Sequence, residues 1–250
     1  MQLSLANDRR KKVAVISHER SGTHFLMNSI AENFGYLAAP WWNFDFEVPI
    51  NFHAAKNIEH YFRQAHDQPI TNILKSHHEV GFFAECIEYL ASQFHIFYIY
   101  RDPRDALVSS WKLLNQFEWD EGPKLASASQ FLRAEPAAAM LRYQKIQHAN
   151  MLQRWRHHVD GWLALSRAEP SLNIYSLSYE QLNLDFKQTI TAIGAQLGMQ
   201  AKDIQRPAKD QSVIGSGQGK VATYREHLSS DDERFVFDQV GKLMGQLGYQ

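Results

Sequence analysis

The chain has 250 residues, 44% hydrophobic and 21% charged, the proportions of a soluble globular protein with one full core or, less favoured, two small ones. Basic residues number 26 against 27 acidic, a formal charge of −1, so no broad basic field for nucleic acid or anionic lipid exists and any anion must be held locally. The single cysteine, Cys86, excludes a disulfide framework and fits a reducing compartment, with a buried place on a helix as its expected role.

Met1 to Lys12 is polar, carries Arg9-Arg10-Lys11-Lys12 and lacks a signal-peptide pattern. Residues 1–11 are expected to form a tail free to be disordered, ahead of a single domain that fills the chain. Lys12–Ser17 is a valine-rich run suited to a buried strand, and Thr23–Phe34 places Phe25, Leu26, Ile30 and Phe34 at helical spacing. Tyr36 to Gln68 shows no clean period and holds the aromatic cluster Trp41–Phe46. Ile70–Ser76 reads as a strand, Glu79–Ser92 as a helix and Phe94–Tyr100 as the strongest strand in the chain. Asp102-Pro103 then opens a helix to Leu114, with Asp102 as N-cap and proline at the first helical position. Gln116 to Glu135 is irregular and includes Phe117 and Trp119, and one long helix is expected over Ala137–Ala168, with a break near Gly161. Leu172–Leu177 is a strand, Ser178-Tyr-Glu-Gln181 a capping box before a helix that stops near Gly198, and Gly215–Gly219 a flexible loop. Ser230-Asp-Asp-Glu233 is expected to cap the last helix.

No run of about 18 apolar residues is present, so no membrane-spanning helix is expected and the chain reads as cytoplasmic. Strands alternating with helices predict an α/β fold: one domain with a central parallel sheet, helices on both faces, and ligands beyond the C-terminal strand ends. Three such ends carry chemistry. After the first strand, Arg20-Ser21-Gly22-Thr23-His24 leads into a helix N-terminus, a P-loop-like cradle for phosphate with Gly22 for close approach, Thr23 as a hydroxyl donor and Arg20 over the outer oxygens. The plainer alternative is an ordinary turn capped by Ser21. At the strong strand's end, Arg101 and Ser109, the latter about two helical turns beyond Asp102, can converge on a further phosphate. On spacing alone, pairing of Arg101 and Arg104 with Asp102 and Asp105 is the simpler outcome. Lys75 and His77 share one face of a strand end, a cation and a proton acceptor, while His78 is expected to point the other way. No metal set with ligand spacing is found.

In this order the pieces resemble the family of sulfotransferases that use 3′-phosphoadenosine-5′-phosphosulfate (PAPS). Glu19-Arg20-Ser21-Gly22-Thr23 stands where that family has Pro-Lys/Arg-Ser-Gly-Thr, which holds the 5′-phosphosulfate. Tyr100 through Ser109 is similar, over ten consecutive positions, to its 3′-phosphate segment, Lys75-Ser76-His77 to its Lys-Thr-His, and Ser178-Tyr179-Glu180 to the segment whose tyrosine lies near adenine. The family's C-terminal Arg-Lys-Gly loop is eroded: Gly217 and Gln218 replace its cations, Gly219 matches, and Lys220 is one residue out of register as a substitute.

The resemblance implies PAPS as donor, adenosine 3′,5′-bisphosphate as product, no metal, and a donor site of Arg20, Ser21, Gly22, Thr23, His24, Phe25, Arg101, Ser109, Tyr179, Gly219 and Lys220. It further implies His77 as general base, with Lys75 and Arg20 offsetting charge on the transferring group. The expected acceptor is a small-molecule hydroxyl with an apolar or aromatic part, met by Trp41–Phe46 and Phe117–Trp119. A homodimer is compatible with this reading. Two rivals remain: a nucleotide-triphosphate kinase or hydrolase using Asp102 for magnesium, and a non-catalytic PAPS-binding module.

Overall fold

The computed structural model describes residues 10–43, 55–67, 71–208 and 220–250. Five parallel strands, β1 (Lys12–Ser17), β2 (Leu37–Asn43), β3 (Asn72–Ser76), β4 (Phe94–Tyr100) and β5 (Tyr175–Ser178), lie in the order β2-β3-β1-β4-β5. The central β1 is buried along its whole length, as its run of Val13, Ala14, Val15 and Ile16 requires. Its register sets Ile16 against Ser76 and Ser17 against Ile99, and β4 sets Tyr100 against Ser178. The exits of β1, β3, β4 and β5 therefore open on one edge of the sheet.

Alternation sorts the two faces. Val13, Val15, Ile73, Phe97, Ile99 and Leu177 pack with α1 (Thr23–Phe34), α7 (Tyr179–Leu184) and α8 (Phe186–Leu197). Ala14, Ile16, Leu74, Ile96 and Tyr98 face the other layer. That layer holds α2 (Ala55–Asp67), α3 (Ile87–Gln93), α4 (Pro103–Leu114), α5 (Ala128–Arg133), α6 (Met151–Ala168) and α9 (Ser230–Gln246). Trp155 and Trp162 of α6 are completely buried there. Each removes on the order of 200 Å² from water, roughly 5 kcal/mol at 25 cal/mol/Å². That apolar anchorage lets the same helix carry buried polar side chains. Cys86 lies in this core, and burial pushes its thiol up to about 12.

Several boundaries differ from the sequence reading. The periodless stretch contains β2 and α2, and the irregular Gln116–Glu135 segment contains α5, capped by Ser127. The strand expected from Ile70 begins at Asn72, and the helix expected over Glu79–Ser92 is a 3-10 turn, Val80–Phe82, followed by α3. The long helix divides well before Gly161 into a 3-10 turn, Ala138–Tyr143, and α6, where the Asn150 side chain accepts from Gln153 N. The strand expected over Leu172–Leu177 starts later, as β5. The last helix is capped by Ser229, one residue early, in a reciprocal box with Asp232. Arg10, placed in the expected tail, donates to the carbonyls of Phe34 and Gly35 and so closes the C-terminus of α1. The loop Gly215–Gly219 and Phe44–Phe46 lie outside the described residues. Among the described residues, no helix is long and apolar enough to cross a membrane.

Candidate active site

The turn between β1 and α1 is built on two left-handed residues, Arg20 at φ 63° and Gly22 at φ 95°, and Gly22, not Ser21, is the N-cap of α1. Gly22 lies against the ring of Tyr179, where an added Cβ would sit 2.4 Å from a ring carbon. Ser21 Oγ is buried and has no hydrogen-bond partner among the described residues. Thr23 Oγ1 is 2.7 Å from Ser17 Oγ, so its hydroxyl already has a partner inside the turn. His24 turns its ring edge to Trp41 of β2 at 4.7 Å, while Phe25 stacks with Phe186 at 6.0 Å and meets Tyr179 edge-on. Arg206 lies over both phenylalanine rings.

Arg101, at the end of β4, draws the second segment onto this turn. Its Nη1 donates to the Arg20 carbonyl at 3.4 Å and its Nη2 to the Lys220 carbonyl at 3.1 Å, and its guanidinium lies 4.4 Å over the Tyr179 ring. Arg20 Nε donates to Ser109 Oγ at 3.0 Å, so the serine expected beside Arg101 is a partner of Arg20. Burial, and then the nearby Arg101, lower Arg20 to about 10, still a cation at neutral pH. Arg101 Nε is buried and has no hydrogen-bond partner among the described residues. The simpler pairings also exist: Arg104 grips Asp102 at 2.6 Å, and Arg101 stands 3.5 Å from Asp105. Asp105 in turn accepts from Ala222 N, Thr223 Oγ1 and Tyr224 N at 2.7–3.0 Å, which seats the segment after Lys220 on α4. Asp102 spends its oxygens on capping Arg104 N and on the Arg104 side chain, an arrangement poorly suited to holding magnesium.

Lys75 is buried on β3 opposite Val15, on the face shared with α1. His77 follows just past the strand, and its Nδ1 lies 2.9 Å from the Ser17 carbonyl. A carbonyl only accepts, so Nδ1 carries the proton and the basic lone pair is on Nε2. His78 does not point to the opposite side: with β3 ended at Ser76, the rings of His77 and His78 both meet the Tyr143 ring edge-on, at 5.7 and 5.3 Å. Among the described residues no group of three His, Cys, Asp or Glu is placed to hold a metal.

A family model described as a sulfotransferase domain matches residues 10–236. The chain belongs to the sulfotransferase family. It is 29% identical over 116 residues to a 3-alpha-hydroxysteroid sulfotransferase of Cavia porcellus, covering 46% of this chain and 34% of that protein. The matched part thus spans about a third of that relative's length. Mouse sulfotransferase SULT7A1, solved in complex with PAP, superposes with a TM-score of 0.62 at 18% identity, covering 94% of this chain and 84% of that one. A retinol dehydratase solved with retinol and PAP superposes with a TM-score of 0.58 at 17% identity, covering 94% and 82%. At these identities the likeness is one of fold.

The sequence reading left unassigned the side chains that brace this candidate site from α6. His158 donates Nε2–H to the His77 carbonyl at 3.1 Å and accepts at Nδ1 from the Tyr98 hydroxyl at 3.0 Å. Burial holds it well below its usual range, hence neutral. Trp162 Nε1 donates to the His78 carbonyl at 3.2 Å. Arg154 reaches Glu19, beside Arg20. Arg154 and His158 are four apart within the buried face that also carries Met151, Trp155 and Trp162, and polar residues inside an apolar stripe were the signal for them.

Proposed function

We propose that this protein transfers a sulfuryl group from PAPS to a hydroxyl of a small-molecule acceptor with an apolar or aromatic part, in the cytoplasm, without a metal. The observation that carries the reading is the convergence of Arg20, Arg101, Ser21 and the N-terminus of α1 on one sheet edge, with Ser21 Oγ and Arg101 Nε buried and without a partner among the described residues. Buried donors without partners are costly, and a bound anion completes them. A Cβ at Gly22 would strike the Tyr179 ring, so glycine preserves the close packing under the nucleotide's proposed place.

In this reading the backbone of Gly22 to Phe25 and the Arg20 side chain hold the 5′-phosphosulfate, with Ser21 and Thr23 in the same turn. Arg101, Ser109, Gly219 and Lys220 hold the 3′-phosphate. Phe25 and Tyr179 flank the adenine, and His24 borders the site. The acceptor oxygen forms its bond to sulfur as the sulfur–oxygen bond to the 5′-phosphate breaks, releasing adenosine 3′,5′-bisphosphate (PAP). His77 Nε2 takes the acceptor proton, and Lys75 and Arg20 offset charge on the transferring group. The Phe117–Trp119 stack, with Trp119 55% exposed, supplies apolar surface for the acceptor. The hydroxysteroid and retinol in the names of similar proteins support that class.

The test is ligand-induced thermal stabilisation by the bisphosphate against AMP and ADP-Mg. At about 100 times its dissociation constant a ligand adds roughly 2.7 kcal/mol. Arg101→Ala is expected to remove most of the preference over AMP, since a charge-assisted contact contributes about 1.5–3 kcal/mol. Equal stabilisation of the native protein by AMP and the bisphosphate would reject the assignment, and strict dependence on magnesium would favour the kinase reading.

A further inference from the structure

Arg20 holds φ 63°, a left-handed conformation that costs a residue with a Cβ on the order of 1–3 kcal/mol and persists only where the surroundings over-determine it. The bracing is one residue earlier. Glu19 accepts from Arg154 Nη2 at 2.7 Å and from Nη1 at 3.0 Å, a bidentate pair. Nη1 also donates to His18 Nε2 at 2.9 Å, and Arg154 Nε donates to Gln144 Oε1 at 2.9 Å. His18 donates Nδ1–H to the Glu19 carbonyl at 3.0 Å. The guanidinium is 3% exposed, and burial pushes His18 down to about 4, which keeps it a neutral acceptor. Burial works to raise Glu19, but Arg154 outweighs it and keeps the carboxyl well below the usual carboxylate range.

Two consequences follow for an anion site. The pair ties residues 18 and 19 to α6, which fixes the direction in which Arg20 leaves the turn. It also cancels a negative charge that would otherwise stand one residue from a loop built to attract anions. The pattern this loop resembles has proline at position 19, where a ring fixes the backbone. Here an ion pair takes that place. We propose that Arg154 and Glu19 are positioning residues for the sulfuryl donor, locking the phosphate-binding loop onto α6 while keeping it free of net charge from Glu19. The proposal rests on the reading of that loop as the donor site.

The experiment is a double-mutant cycle on Glu19→Gln and Arg154→Met, read as the dissociation constant for adenosine 3′,5′-bisphosphate and as donor KM and kcat. Arg154→Met is expected to weaken the bisphosphate by roughly 30-fold or more, the scale of a buried charge left unpaired. Donor KM should rise in parallel, while kcat at saturating donor stays within about threefold of native. The double variant should regain roughly tenfold of the lost affinity, because contacting residues couple and no bare carboxylate remains. A purely scaffolding pair would lower the melting temperature in every variant with no such recovery. Native-like affinity in Arg154→Met, or a double variant no better than it, overturns the proposal. Should Arg154→Met fail to fold, Arg154→Lys keeps the charge and loses the fork. An intermediate rise in donor KM there supports the proposal, and a native KM overturns it. Failure of the native protein to bind the bisphosphate would instead overturn the donor-site reading.

Discussion

Gly22 carries only hydrogen where any other residue would place a Cβ 2.4 Å from Tyr179, and it does so at φ 95°. Gly22→Ala must therefore move the Tyr179 ring or the turn, and the strain alone is about 1–3 kcal/mol. It is expected to lower the melting temperature and to weaken adenosine 3′,5′-bisphosphate severely. An alanine variant that titrates like the native protein would show that the turn does not hold the nucleotide. His77 is tested through rate. Its Nδ1–H is committed to the Ser17 carbonyl, which fixes the ring and puts the basic lone pair on Nε2. His77→Ala should cost about 10²- to 10⁴-fold in turnover and leave bisphosphate affinity nearly unchanged. His78 is 1% exposed and bonds Ser76 Oγ through its own Nδ1 at 3.0 Å. His78→Ala should therefore lose stability, with far less loss of turnover per folded molecule. Unimpaired turnover in His77→Ala would move the base elsewhere.

Elements whose ends carry chemical punctuation were legible in the sequence. α4 begins at the expected Asp102-Pro103 and ends at Leu114, and the Ser178/Gln181 box opens a helix as read, although the helix expected to run to Gly198 divides at Asp185 into α7 and α8. β1, β4 and α1 have the expected bounds because continuous apolar runs or helical spacing mark them. α2 was missed although Ile58, Tyr61 and Phe62 keep helical spacing, because charged and polar residues surround them. β2 was missed because Pro40 interrupts a short edge strand, where its missing N–H is tolerated. The Asn150 cap, which divides the expected long helix, was hidden by helix-forming residues on both sides. At α9 the cap itself invites a test. Burial works to raise Asp232, but hydrogen bonds from Ser129, Ser229 and Arg133 outweigh it and bring the carboxyl to about 2. A depressed carboxylate contributes stability above its unfolded pKa, near 4, and loses it as pH falls toward 2. Asp232→Asn should thus be less stable than native at pH 7, with the gap closing between about pH 4 and 2. A gap independent of pH in denaturant unfolding would rule out ionic capping.

Across the whole molecule, the residues proposed for the donor side were readable because short motifs carry them, whereas the braces come from α6, more than 70 residues away from His77 and more than 130 from Glu19. Periodicity marks such side chains as buried and cannot name their partners. The same packing makes the fold sensitive to mild acid. Burial brings His18, His95 and His148 to about 4 and holds His158 well below its usual range. Below the ordinary value near 6.5 the unfolded chain takes up protons that the folded one refuses, so stability is full above that pH and falls until about pH 4. Unfolding midpoints should drop across this window with a slope above one proton, and a flat profile from pH 7 to 4 would contradict the neutral histidines. Cys86 leads in a different direction. With its one thiol locked in the core and pushed to about 12, the native chain is expected to resist alkylating dyes at neutral pH. A cysteine introduced at exposed Trp119 would be the sole reactive handle, so a fluorophore attached there would test, without background labelling, whether an acceptor enters beside Phe117 as proposed.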